Sequence, residues 1–232
     1  MYHDGNRSLQ DRFDSRRIAD RLVEVLHRER FTAEDREFIE GRSMFFLATA
    51  DSGGWPDCSY KGGRPGFVRV ISDDTLAFPS YDGNGMFKSA GNLLANPRVG
   101  MLFMDFEKPR RLRVNGTASI DFSDPLLDGF EGAQLVVRVH AEHIFPNCPR
   151  YIHRMALEEI SVYAPAAGHE PPTPAWTEME AFRDYLPRPP HDDPAVDQTG
   201  PGSPDTANSL DQRQRRDHHE AGRESSQSAQ QQ

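Results

Sequence analysis

Lys88-Ser-Ala-Gly-Asn-Leu-Leu-Ala-Asn-Pro-Arg-Val-Gly-Met-Leu-Phe103, followed by Arg111-Leu-Arg-Val-Asn-Gly-Thr-Ala118, is the stretch that decides the fold. Its first half reads as a helix from about Met86 to Ala95. The helix stops at Asn96-Pro97, because a residue before proline is pushed out of the helical region. Residues 98–106 then read as a strand, Glu107-Lys-Pro-Arg110 as a turn and 111–121 as a second strand.

Working outward, strand signals recur at Met44–Ala50, 57–61, 66–71, 75–79 and 133–144. The turns between them are rich in Gly, Pro and Asp, as in Asp51-Ser-Gly-Gly-Trp-Pro56 and Lys61-Gly-Gly-Arg-Pro-Gly66. One helix inserted among six or so strands indicates a mainly β protein built as a small closed barrel, not as alternating βαβ units. Toward the N-terminus, residues 15–30 place Ile18, Leu22, Val25 and Leu26 on one helical face. Thr32 is positioned to cap a second helix running to about Glu40, with acids in its first turn and Gly41 as its stop. Tyr151–Met155 reads as a short helical turn, and 176–186 as a last short helix.

Composition limits the rest. A mean hydropathy of −0.72 is low for a wholly globular chain. The polar excess is concentrated after Pro187, where there are no aromatics and the only large aliphatics are Val196 and Leu210. Such a segment buries too little apolar surface to offset its ordering entropy, so 187–232 is expected to be a disordered tail. His191, His218 and His219 within it are read as solvated. The net charge of −9 argues against a general nucleic-acid binder. No run of about 18 apolar residues is present to span a membrane, and the first residues lack a signal-peptide core. Two cysteines, Cys58 and Cys148, make neither a disulfide framework nor a four-ligand zinc site. A cytoplasmic protein without a metal is the expectation.

Three segments carry ligand-binding chemistry. In Ser59-Tyr-Lys-Gly-Gly63 a hydroxyl, an ammonium and two glycines suit a bound anion, although they equally suit a solvated hairpin turn. Ser80-Tyr-Asp-Gly-Asn-Gly-Met-Phe-Lys-Ser89 is a glycine-rich loop containing Asn84 that runs into a helix N-terminus. Lys88 and Ser89 lie in its first turn, where free N–H groups favour phosphate. The loop has neither Walker A nor G-x-G-x-x-G spacing, and a simple cap would look similar. Arg111 and Arg113 share one face of a strand, facing either a ligand or solvent. The 27 basic residues include only three lysines, and Lys61 and Lys88 sit beside two of these glycine-rich turns.

The order of these motifs resembles the pyridoxamine 5′-phosphate oxidase-like FMN-binding family. The likeness runs from Phe67-Val-Arg-Val through Thr75-Leu-Ala-Phe-Pro79 to the 84–118 stretch, and covers roughly 41–155. It implies a six-stranded, Greek-key split β-barrel with peripheral helices, dimerising so that FMN lies between protomers. The expected organisation is an N-terminal helical segment at 1–40, the barrel at 41–165, a helical extension at 166–186 and the tail. The resemblance implies that Lys88 and Ser89 hold the flavin phosphate. Phe67, Val68 and Arg69 would lie along the ring, Phe78 and Pro79 beside the ribityl chain, and Arg111 near the ring. Ser59 and Lys61 resemble the Ser-x-Lys-Gly variant of a predicted flavin-nucleotide-binding branch. No counterpart of the pyridoxal phosphate clamp follows the barrel. The resemblance therefore points to a flavin-dependent oxidoreductase of another substrate, with NADH or NADPH as a candidate reductant and no side chain required as acid or base. A non-catalytic binder of flavin, haem or deazaflavin is the rival. Cys148 and His153 suit a turn as well as a nucleophile, and Cys148–Tyr151 is expected near the cleft.

Overall fold

The structure is a computed structural model and describes residues 1–187. The tail expected from Arg188 onward lies outside the described residues. The chain divides into a unit spanning Met1–Arg183 and a second beginning at Asp184; every element described below belongs to the first.

The elements run α1 (Asp4–Arg12), α2 (Arg16–Leu26), α3 (Ala33–Glu40), β1 (Met44–Ala50), β2 (Pro56–Gly62), β3 (Arg69–Val70), β4 (Thr75–Tyr81), α4 (Lys88–Ala95), β5 (Arg98–Asp105), β6 (Arg110–Asp121), β7 (Ala133–Pro146) and α5 (Glu180–Arg183). The seven strands form one antiparallel sheet in the order β2-β1-β5-β6-β7-β4-β3. Strands β5, β6 and β7 are consecutive hairpin neighbours and β4 lies beside β7, which is Greek-key connectivity.

All seven segments with strand signals form strands, one more than the six-stranded barrel the resemblance implies, and the expected closed barrel is open between β2 and β3. The reason lies in the predicted strand 66–71, of which only Arg69 and Val70 pair. Gly66 takes a left-handed φ of 90°, and the Phe67 N–H turns back to the Arg64 carbonyl at 3.0 Å. The backbone groups that would close the barrel go to α3. Glu40 accepts from the Val70 N–H at 3.0 Å, Arg36 donates to the Val70 carbonyl, and the Gly66 N–H reaches the Glu40 carbonyl at 2.7 Å. A helix end thus covers an otherwise exposed sheet edge. Its start is set by Thr32, whose hydroxyl accepts from the Asp35 N–H while Asp35 accepts from the Thr32 N–H.

Strand alternation directs Phe45 and Leu47 of β1, Met101 and Phe103 of β5, and Leu112 and Val114 of β6 into one core. The Phe45 ring meets Phe78 edge-on at 5.1 Å and Phe103 at 5.2 Å. Gly116 marks a register shift in β6, and a Cβ there would collide with the His140 carbonyl. The glycine of the R-V-x-G-x-A pattern is therefore a packing requirement.

Two helical readings differ from the structure. Ile18, Leu22 and Val25 do share a face of α2, but that face is exposed and Ala19 is the buried residue. Tyr151–Met155 is not helical: after one turn closed by Ile152 N–H to the Pro149 carbonyl, the Met155 N–H bonds the Phe106 carbonyl just past the end of β5. The last helix is split into a 3-10 turn at Ala175–Glu178 and α5.

Candidate functional site

On β2, side chains alternate across the sheet, so Asp57, Ser59 and Lys61 are half-buried at the cavity while Cys58 and Tyr60 are exposed, Tyr60 at the cavity rim. The half-buried row meets the start of α4. Helix α4 is pinned over β1 by a buried hydrogen bond from Asn92 Nδ2 to Thr49 Oγ1 at 3.0 Å. Between β2, the end of β4 and α4 lies a cavity of about 550 Å³, within the usual range for small-molecule sites.

Phe87 precedes α4 in the left-handed region at φ 46°, an unfavourable conformation for a non-glycine residue, and no side chain caps the helix. The first helical bond runs from the Gly91 N–H to the Phe87 carbonyl at 2.7 Å, so the N–H groups of Lys88, Ser89 and Ala90 precede the ladder. Ser89 Oγ lies 3.1 Å from Ser59 Oγ and accepts from Lys61 Nζ at 3.2 Å. Burial pushes the Lys61 ammonium below its ordinary range, with Asp57 acting weakly the other way. Burial likewise raises the Tyr81 phenol, against the field of Arg69. Among the described residues neither Lys61 nor Lys88 has a carboxylate within ion-pair distance. Two lysines beside an open helix start supply the donors an anion would need at this end of the cavity, which Asp57, Asp82 and Glu159 also line.

Eight of the twelve residues singled out in the sequence line this cavity: Ser59, Lys61, Phe67, Phe78, Pro79, Asn84, Lys88 and Ser89. The other four do not. Val68 is fully buried in the core. Arg69 donates to the Gly129 carbonyl at 2.5 Å and lies 4.0 Å over the Phe130 ring, which fixes it to the β7 side of the sheet. Arg113 lies over Phe145, and the Nε of Arg111 is buried without an acceptor.

The sequence reading missed one whole wall. Residues 157–164 cross the cavity as an irregular strap that contributes Leu157, Glu159, Ile160, Ser161, Tyr163 and Ala164. Ala164 is buried and Pro165 packs against Gly132. Cys148–Tyr151, expected near the cleft, is not among the lining residues, and both cysteines are exposed free thiols. Among the described residues no helix is long and apolar enough to cross a membrane, and no three His, Cys, Asp or Glu residues cluster as metal ligands.

The sequence model described as pyridoxamine 5′-phosphate oxidase matches residues 31–163, from the entry to α3 to the end of the strap. The chain belongs to the pyridoxamine 5′-phosphate oxidase family. Its open Greek-key sheet is the split barrel of that family. Among curated proteins nothing matches the chain. Solved structures similar to this family member include a putative pyridoxamine 5′-phosphate oxidase from Lactobacillus delbrueckii, at 21% identity and a TM-score of 0.42 over 51% of this chain and 95% of that one. A heme storage protein, HutZ, from Vibrio cholerae shares 22% identity at a TM-score of 0.38, over 50% and 95%. An FMN-binding protein from Syntrophomonas wolfei shares 17% at 0.38, over 61% and 96%. Likeness at this level carries no argument about a ligand, so the choice of cofactor rests on the site itself.

Proposed function

We propose that the protein binds FMN in this cavity and is an FMN-dependent oxidoreductase. The observation that carries the reading is the pair of lysines, Lys61 and Lys88, lining the cavity at the open start of α4 with no carboxylate within ion-pair distance among the described residues. Such an end suits a phosphate dianion, while Phe67, Phe78 and Pro79 supply the apolar wall a flavin needs. The residues present therefore fit the group. Bound FMN would supply the hydride or electron transfer; the chain supplies binding, orientation and electrostatics.

In this reading Lys61 and Lys88 neutralise the phosphate. The hydroxyls of Ser59 and Ser89 and the first N–H groups of α4 complete its hydrogen bonds. The strap 157–164 and the β4 end at Ser80 and Tyr81 exclude water from the side facing the sheet. Arg111 and Arg113 lie away from the cavity within one chain. Their assignment as ring-binding residues accordingly requires a homodimer, in which these arginines from one protomer complete the cavity of the other. The buried Arg111 Nε without an acceptor supports that role.

The test is the visible spectrum of the purified protein together with mass spectrometry of the released ligand. A two-band flavin spectrum with the mass of FMN, bleached by NADH or NADPH, supports the enzyme. A sharp Soret band or a deazaflavin mass would replace FMN, and a flavin that no reductant bleaches would leave a binding protein.

A further inference from the structure

The same cavity contains a second chemistry that needs no flavin. We propose that Ser89 is a nucleophile with Lys61 as its general base, and that the cavity hydrolyses small carboxylic esters. This goes beyond the flavin reading; because it uses the same Ser89 and Lys61, it is the chemistry of the cavity when no phosphate fills that end.

The geometry is that of an activated serine. Lys61 Nζ is 3.2 Å from Ser89 Oγ, and Ser59 Oγ lies 3.1 Å from the same atom, so the nucleophile is held between a base and an orienting hydroxyl. The two elements are locked together, β2 by its ladder to β1 and α4 by the buried Asn92–Thr49 bond. Burial moves Lys61 toward the neutral amine that can accept a proton, outweighing the opposing field of Asp57, which lies beyond ion-pair distance. Ser89 is partly exposed to a cavity with room for a small acyl group, and the adjoining N–H groups of α4 are free of the helical ladder. Serine–lysine pairs of this kind serve acyl transfer on unrelated folds, and the roles rest on geometry and not on fold.

The steps balance. Ser89 Oγ attacks the ester carbonyl carbon while its proton passes to neutral Lys61 Nζ. Negative charge on the carbonyl oxygen is met by the N–H groups at the start of α4. The C–O bond to the leaving alcohol breaks, the alcohol takes the proton from Lys61, and an acyl-Ser89 ester remains. Water then loses a proton to Lys61 and attacks the acyl carbon. The carboxylic acid leaves, and Ser89 regains its proton.

The experiment uses the full chain with p-nitrophenyl acetate as substrate and a fluorophosphonate as covalent probe. Expected are saturable hydrolysis that rises with pH as Lys61 loses its proton, and a single phosphonyl adduct mapped to Ser89. Ser89→Ala should lower kcat/KM by roughly 100-fold or more. Lys61→Arg keeps the cation but provides no base at ordinary pH. It should lose hydrolysis to a similar degree and lose the phosphonyl adduct on Ser89 with it, a readout that phosphate binding does not move. Hydrolysis at the parental rate in Ser89→Ala or Lys61→Arg would overturn the proposal. So would a parent protein whose adduct is absent or maps elsewhere, a result that does not require any variant to fold.

Discussion

The cations of the cavity and the cations of the frame are built differently. Arg138 grips Asp124 through two bonds of 2.5 and 2.9 Å, Arg42 pairs with Asp105 at 2.7 Å, and Arg28 holds Asp35 through both carboxylate oxygens at 2.8 Å. Each of these arginines binds one part of the scaffold to another. Lys61 and Lys88, by contrast, face a cavity and have no carboxylate partner among the described residues. In a chain with only three lysines, the compact and strongly hydrated point charge has been placed where a ligand is to be met. The planar, multidentate arginine has been used where structure is to be fixed.

The largest expected effect lies in the frame. Asp124 is almost wholly buried, with side-chain exposure of 1%, and its removal strands a guanidinium. Asp124→Asn should cost roughly 1.5–3 kcal/mol in urea unfolding, since it weakens two charge-assisted hydrogen bonds while the freed guanidinium, a third exposed, is still partly solvated. The hydrogen bond from Arg138 is the main cause holding the Asp124 carboxyl below its ordinary range. Its contribution is therefore present above the unfolded carboxylate range and lost as pH falls through the folded pKa. Parent and variant should converge in stability in acid. A variant as stable as the parent at neutral pH would erase the distinction between the two sets of cations.

A smaller effect is expected at Lys61, whose lowered pKa makes phosphate binding proton-linked. A bound dianion raises that pKa again, so FMN affinity should be highest below the free-protein pKa of Lys61. It should fall as pH rises through that value, and the slope should vanish in Lys61→Met. Calorimetry in buffers of different ionisation enthalpy, at the pH where affinity falls, would report the proton taken up; affinity independent of pH up to the ordinary lysine range would place Lys61 outside the phosphate site. Smallest of all is Arg69→Lys. It loses the fork that reaches Gly129 and the stacking on Phe130, but FMN affinity should stay within about twofold, because Arg69 does not line the cavity.

Much of this was legible in the sequence where local chemistry decides structure. Asn96-Pro97 stops α4, Thr32 caps α3 with acids in its first turn, and Lys61 and Lys88 beside glycine-rich turns mark two segments that line the cavity. The direction of the Arg69 side chain was not legible, because a two-residue strand has no pattern to read and the contacts that set it, Gly129 and Phe130, lie some 60 residues away. The strap 157–164 was invisible for a related reason. It has no regular structure and owes its position to contacts such as Pro165 on Gly132, which no local rule foretells. Likewise the apolar stripe of α2 gave the helix but not which way it faces.

The central claim, that the unpaired lysines receive a phosphate, is tested most directly by titrating FMN and riboflavin into the parent and into Lys88→Ala. A hydrogen bond to a charged group contributes about 1.5–3 kcal/mol, so the variant should bind FMN about 10- to 150-fold more weakly. Riboflavin, which lacks the phosphate, should bind both proteins alike. Equal losses for the two ligands, or undiminished FMN binding, would contradict the account.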